Sequence, residues 1–98
     1  MTELSLVIDG MLSGTGIRDA ANGGYLEPQD VGLSEALVRK IGAWQSAYED
    51  AHFHQYEDEA RNEALDREGL EIVRAVRAEL PKAEVGYFSS ATLSEIKL

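Results

Sequence analysis

The chain contains no cysteine and no apolar run approaching the length of a membrane helix, and its nine lysines and arginines face eighteen aspartates and glutamates. Without cysteine there is no disulfide scaffold, no thiolate metal site and no cysteine nucleophile. A membrane span needs ~20 consecutive apolar residues, so none is expected. The N-terminal stretch Met1-Thr2-Glu3-Leu4 carries an acid where a secretory leader carries basic residues, and the apolar run after it is too short. A cytoplasmic chain with no membrane partner is therefore expected. The shortage of basic side chains leaves a formal charge of −9. Such a field opposes direct binding to nucleic acid and favours basic protein surfaces.

What is present suffices for one small domain spanning residues 1–98. An apolar content of 44% is ordinary for a folded chain. Leu4 to Ile8 is rich in alternating and β-branched residues and reads as a strand. Gly16–Ala20 and Gly24–Glu27 flank Asn22-Gly23-Gly24, the chemistry of a tight hairpin turn. Ser34 is placed to cap a helix, with Leu33 and Val38 at the spacing of a hydrophobic staple. Leu37, Ile41, Trp44, Tyr48 and Ala51 follow at steps of three and four, one buried stripe of a helix ending between Ala51 and Tyr56. A second stripe runs through Leu65, Gly69, Ile72, Val73, Val76 and Leu80 and stops at Pro81. Glu57–Arg61 and Glu63–Arg67 have the spacing of helical ion pairs, and Gly69 suggests close approach beneath Trp44. Glu84 to Phe88 reads as a strand, and Thr92 to Leu98 as a short strand or a frayed end. Two strands separated by two helices suit a parallel pair. The fold class expected is α/β (α+β), a small three- or four-stranded sheet with a helical hairpin on one face.

Charge is concentrated in one segment. Between Glu49 and Glu71 lie nine carboxylates against Arg61 and Arg67 alone. An aromatic and histidine cluster, Tyr48-His52-Phe53-His54-Tyr56, adjoins it. Aromatic side chains rimmed by carboxylates suit a protein-binding surface, the rings giving contact area and the acids long-range steering. The candidate partner-binding residues are Tyr48, Glu49, Asp50, Phe53, Tyr56, Glu57, Asp58 and Glu59.

Chemistry-bearing motifs fail one by one. Val7-Ile8-Asp9-Gly10 resembles the phosphatase motif of the haloacid dehalogenase superfamily, but Val7 stands where the nucleophilic aspartate is required. Gly10 to Gly16 follows a strand as phosphate-binding loops do, yet lacks the terminal Lys-Ser/Thr. His52 and His54, two residues apart, diverge on a helix by about 160° and make no shared metal face. No serine has a nucleophile-elbow context. The expectation is a non-enzyme with no catalytic residue, no bound metal and no cofactor.

Gly16-Ile17-Arg18-Asp19, Gly24-Tyr25-Leu26-Glu27, Leu33-Ser34-Glu35-Ala36-Leu37, Trp44, Tyr48-Glu49-Asp50, Leu65 to Leu70, Ala78 to Pro81 and Val85 to Phe88 together resemble a group of small acidic bacterial proteins. These are similar in size and charge to immunity proteins of contact-dependent inhibition and other polymorphic toxin systems. The resemblance implies an inhibitor that binds a basic cognate toxin, a nuclease whose cleft an acidic surface can fill. A homo-oligomeric scaffold or adaptor domain is the first alternative. A small metal-dependent enzyme using the two histidines is the second.

Overall fold

A computed structural model describes residues 4–11, 14–92 and 94–96. Strand β1, Ser5–Asp9, lies at the centre of a four-stranded sheet. It pairs antiparallel with β2, Ile17–Asp19, and parallel with β3, Glu84–Ser89. The edge strand β4, Ser94–Ile96, runs antiparallel to β3. Between β2 and β3 the chain forms a short 3₁₀ turn at Pro28–Val31, then α1, Glu35–Phe53, and α2, Glu59–Glu79. The expected α+β class and the parallel pair are both present. The C-terminal segment does form a strand; residues 97 and 98 lie outside the described residues.

The expected small hairpin is present and short. Its first arm joins β1, and its second pairs with the first around a bridge between Arg18 and Tyr25, the Asp19 amide donating to the Gly24 carbonyl at 2.8 Å and the Leu26 amide to the Ile17 carbonyl at 2.9 Å. The left-handed backbone falls on Gly23 and Gly24 rather than on Asn22. The reason lies in Asp19, whose carboxylate accepts the Ala21 and Asn22 amides at 2.9 and 3.0 Å and shapes the turn one residue early. Those bonds, the Asn22 amide first, hold the Asp19 carboxyl below the usual carboxylate range.

The helices pack as an antiparallel pair because α2 ends where α1 begins. Ser34 caps α1, its hydroxyl accepting the Leu37 amide at 3.3 Å. Glu79, the last residue of α2, accepts the Ser34 amide at 2.7 Å and its hydroxyl at 2.8 Å. Strand periodicity turns Leu6, Ile8, Val85 and Tyr87 into the core, against Leu37, Ile41, Trp44, Tyr48, Ile72, Val73 and Val76. On the other side of the sheet Val7, Gly86 and Phe88 stay partly exposed, and the Arg18 guanidinium covers the Phe88 ring at 5.4 Å. Trp44 is core as expected, and its indole N–H donates to the Leu65 carbonyl at 2.8 Å.

Gly69 does mark a close approach, but to β3 and not to Trp44. A methyl group there would overlap the Tyr87 ring, reaching 2.6 Å from Cζ. Tyr87 is buried and its hydroxyl is held by Asp66, so the ring has nowhere to go. Alanine should gain about 1 kcal/mol of helix propensity and lose about 1–3 kcal/mol to overpacking. The net expectation for Gly69→Ala is a lowered urea midpoint; a raised one would show that the ring can yield.

The two expected helical ion pairs do not form. Glu57 precedes α2, so the helical spacing does not apply to it, and Arg61 goes instead to Asp50 of α1, Nη1 to Oδ2 at 2.8 Å. That bond is the main reason the Asp50 carboxyl lies below its ordinary range. Glu63 and Arg67 make no ion pair among the described residues.

Candidate functional site

The corner between α1 and α2 gathers most of the residues that the sequence singles out. Helix α1 ends at Phe53, and the chain reverses through His54 to Glu57 before Asp58 caps α2, its Oδ1 accepting the Arg61 amide at 3.0 Å. Gln55 and Tyr56 both adopt left-handed backbone, each with φ 55°. Neither is glycine, and left-handed residues of this kind cost roughly 1–2 kcal/mol each. The Tyr56 amide recovers one bond to the Ala51 carbonyl at 2.9 Å, and the Asn62 side-chain amide holds the Tyr56 carbonyl at 2.9 Å.

A ladder of rings leads from the core to this corner. Trp44 meets Tyr48 edge to face at 5.4 Å, Tyr48 meets Tyr56 at 6.2 Å, Tyr56 meets His52 at 5.8 Å, and His52 meets Phe53 at 5.9 Å. Exposure rises sharply along it. Tyr48 is fully buried, Tyr56 is partly buried, and Phe53 is 72% exposed. Tyr48 therefore offers no surface to a partner, although the sequence placed it among the candidate contacts. The register that buries Ile41 and Trp44 also buries the residue four positions further on.

The acids of the candidate set divide by role. Asp50 is exposed but engaged by Arg61 and approached by His54 Nδ1 at 3.7 Å. Asp58 is exposed and spends one oxygen on the helix cap. Glu57 and Glu59 are exposed beside it, and Glu49 is partly buried. The two histidines diverge, His52 Nδ1 lying 3.3 Å from the Tyr56 hydroxyl and His54 Nδ1 2.8 Å from the Asp50 carbonyl. Among the described residues no three of His, Cys, Asp and Glu gather in a way that could hold a metal ion.

Behind the corner lies a residue the sequence reading passed over. Asp66 accepts hydroxyls from Tyr48 at 2.8 Å and Tyr87 at 2.6 Å on one oxygen, and from Ser89 at 2.8 Å on the other. Tyr48 in turn accepts the Ala91 amide at 3.1 Å, and Ser89 the Thr92 amide at 3.3 Å. Burial, above all, pushes the Tyr48 hydroxyl up to about 12 and raises that of Tyr87 as well, so both remain donors. The signal was available in the spacing: Asn62, Asp66, Gly69 and Val73 share one helical face, which places a carboxylate on the packed side of α2. Asp66 borders a cleft of about 320 Å³, which Glu59, Asn62 and Glu63 line with it along α2. Tyr56 and the Ala91-Thr92 turn complete its walls.

Asp9, the surviving acid of the phosphatase-like motif, is fully buried and structural. It accepts the Met11 amide at 2.9 Å and the Ser90 hydroxyl at 3.2 Å, with Arg18 at 3.6 Å.

A family model described as Serratia CdiI immunity protein-like matches residues 2–90. The chain belongs to that family. No curated protein and no solved structure shows a significant match to it. The match spans every element except β4, so the α1–α2 corner and the Asp66 network both lie within the CdiI immunity protein-like region. Immunity proteins act by binding a toxin, which directs attention to surfaces rather than to buried chemistry. Among the described residues no helix of this CdiI-like chain is long and apolar enough to cross a membrane.

Proposed function

We propose that this chain is a cytoplasmic immunity protein that binds and neutralises a cognate bacterial toxin, a nuclease, through the acidic α1–α2 corner. The observation that carries the reading is Phe53, a large apolar side chain 72% exposed at a helix-to-helix corner that also carries the exposed acids Asp50, Glu57, Asp58 and Glu59. An exposed aromatic in an acidic segment suits a contact that is desolvated on binding while the charges steer the partner. Two non-glycine residues in left-handed backbone hold that corner in one shape, a conformation that packing must sustain. A nuclease must offer a basic cleft to phosphates, and an acidic surface can occupy such a cleft as the phosphates would. Electrostatic steering at low salt can bring association to about 10⁸–10⁹ M⁻¹s⁻¹, fast enough to protect a cell that makes its own toxin.

The test is kinetic. The partner is the toxin domain expected at the end of an adjacent upstream reading frame, and Glu57→Lys/Glu59→Lys supplies the variant. Asp58 stays in place because it caps α2. Association should slow by at least tenfold at low salt and lose most of its salt dependence, with helical content unchanged. Unaltered association would move the interface away from this corner, and the absence of any such reading frame would favour the scaffold alternative.

A further inference from the structure

We infer that toxin binding at the acidic corner is gated by pH, favoured at neutral pH and weakened in acid, through His52 and His54. The inference rests on the immunity reading above and assigns a regulation to it. The chain has two histidines, and both flank Phe53 at the C-terminal end of α1. Both are exposed, so protonation needs no opening of the core. Histidine is the side chain that ordinarily changes charge between about pH 5 and 8, a range in which exposed aspartate, glutamate and arginine keep theirs.

Both rings already touch the parts of the corner that a partner would use. The His52 ring stands edge-on to Phe53 at 5.9 Å and to Tyr56 at 5.8 Å, with Nδ1 3.3 Å from the Tyr56 hydroxyl. His54 Nδ1 lies 2.8 Å from the Asp50 carbonyl and 3.7 Å from Asp50 Oδ2. The charged groups around them are Glu49 and Asp50 on α1, Glu57 in the turn, Asp58 at the α2 cap, and Glu59 and Arg61 on α2. Five carboxylates against one guanidinium leave the corner at −4, and two imidazolium charges halve that. Asp50, held below the ordinary carboxylate range chiefly by its bond from Arg61, keeps its charge throughout. A charged His54 gives it a second cation beside Arg61 and withdraws it further from a partner. The helix dipoles change little, because the negative end of α1 and the positive end of α2 meet here, each about half a unit charge. Halving the field slows encounter with a basic surface. A charged ring buried beside Phe53 against such a surface also finds no acid there to pair with, which speeds dissociation.

Stopped-flow association of the full chain with the toxin domain at low salt, at about pH 7.5 and about pH 5.5, tests the gate. The native chain should slow on acidification at least about fivefold more than His52→Gln/His54→Gln, which keeps polar surface but cannot charge. Groups of the toxin titrate alike against both proteins, so the difference belongs to the two histidines. His52→Lys/His54→Lys, charged at both pH values, should associate at about pH 7.5 at least about fivefold more slowly than the native chain. Both positions are exposed, so helical content should not change. An equal pH effect in the native chain and the glutamine variant, or a lysine variant that associates at the native rate, would overturn the gate. If Glu57→Lys/Glu59→Lys slows association and the histidine variants behave as the native chain does, the acidic corner stands and the gate falls. If none of them differs from the native chain, both fall.

Discussion

Replacing Asp66 with alanine should cost roughly 3–5 kcal/mol of stability, a large part of what a domain of this size has. The substitution strips the acceptor from three hydroxyls at once, those of Tyr48, Tyr87 and Ser89. Each buried donor left unpaired costs about 1–3 kcal/mol. The sum is discounted because Tyr48 and Ser89, already 3.3 Å apart, can turn toward each other. Losing one negative charge from a chain at −9 works slightly the other way, by relieving self-repulsion. Asp66→Asn keeps an acceptor for the tyrosines and should lose only about 1–2 kcal/mol. Urea midpoints at unchanged slope measure both variants, and an alanine loss below about 1 kcal/mol would show that the network contributes little. The same geometry sets a pH dependence. Tyr48 and Tyr87 have hydroxyl pKa values raised by folding, so their contribution is complete below their unfolded value near about 10 and lost as the pH rises through the folded values. Stability should fall in alkali, and less steeply in Tyr87→Phe than in the native chain.

Tyr48→Ala and Phe53→Ala, five residues apart on one helix, should fail in opposite ways. Tyr48 is fully buried, touches Trp44 and Tyr56 through its ring, and bonds Asp66 and the Ala91 amide through its hydroxyl. Its truncation should cost about 3–5 kcal/mol of stability, as other large-to-small core changes do. Any loss of toxin protection would then follow from unfolding. Phe53 is largely in solvent, and its truncation should shift stability by no more than about 0.5 kcal/mol. As an anchor of the interface it should instead raise the toxin dissociation rate about thirtyfold, equivalent to ~2 kcal/mol. Denaturant midpoints and dissociation rates measured side by side separate the two. A Phe53→Ala protein that binds as the native chain does would remove Phe53 from the interface. Because Tyr48 and Asp66 share a bond, Tyr48→Ala/Asp66→Ala should cost less than the two single changes added together.

Much of this molecule was legible in the chain because the information is local. The stripes Leu37-Ile41-Trp44-Tyr48 and Ile72-Val73-Val76 repeat at the helical period. Ser34 and Pro81 mark where a helix can start and stop, and β-branched runs at either end mark the parallel strands. The charge of the Glu49–Glu71 segment is a property of composition and needs no fold. What composition and periodicity could not settle was which of several available partners each polar group would choose. Arg61 has the spacing to meet Glu57 but reaches Asp50 across the helix pair, because Glu57 falls before the helix begins. Gly69 admits a ring, and only the stacking of α2 on β3 decides that the ring is Tyr87 and not Trp44. Asp66 carries a helical position consistent with burial, yet the three hydroxyls that hold it come from residues 18, 21 and 23 positions away in sequence. Local propensity and patterning fix elements and faces. The pairing of side chains across elements depends on distances that exist only once the layers have packed, and that packing makes Tyr48 core, Phe53 surface and Asp66 the point where the helices meet the sheet.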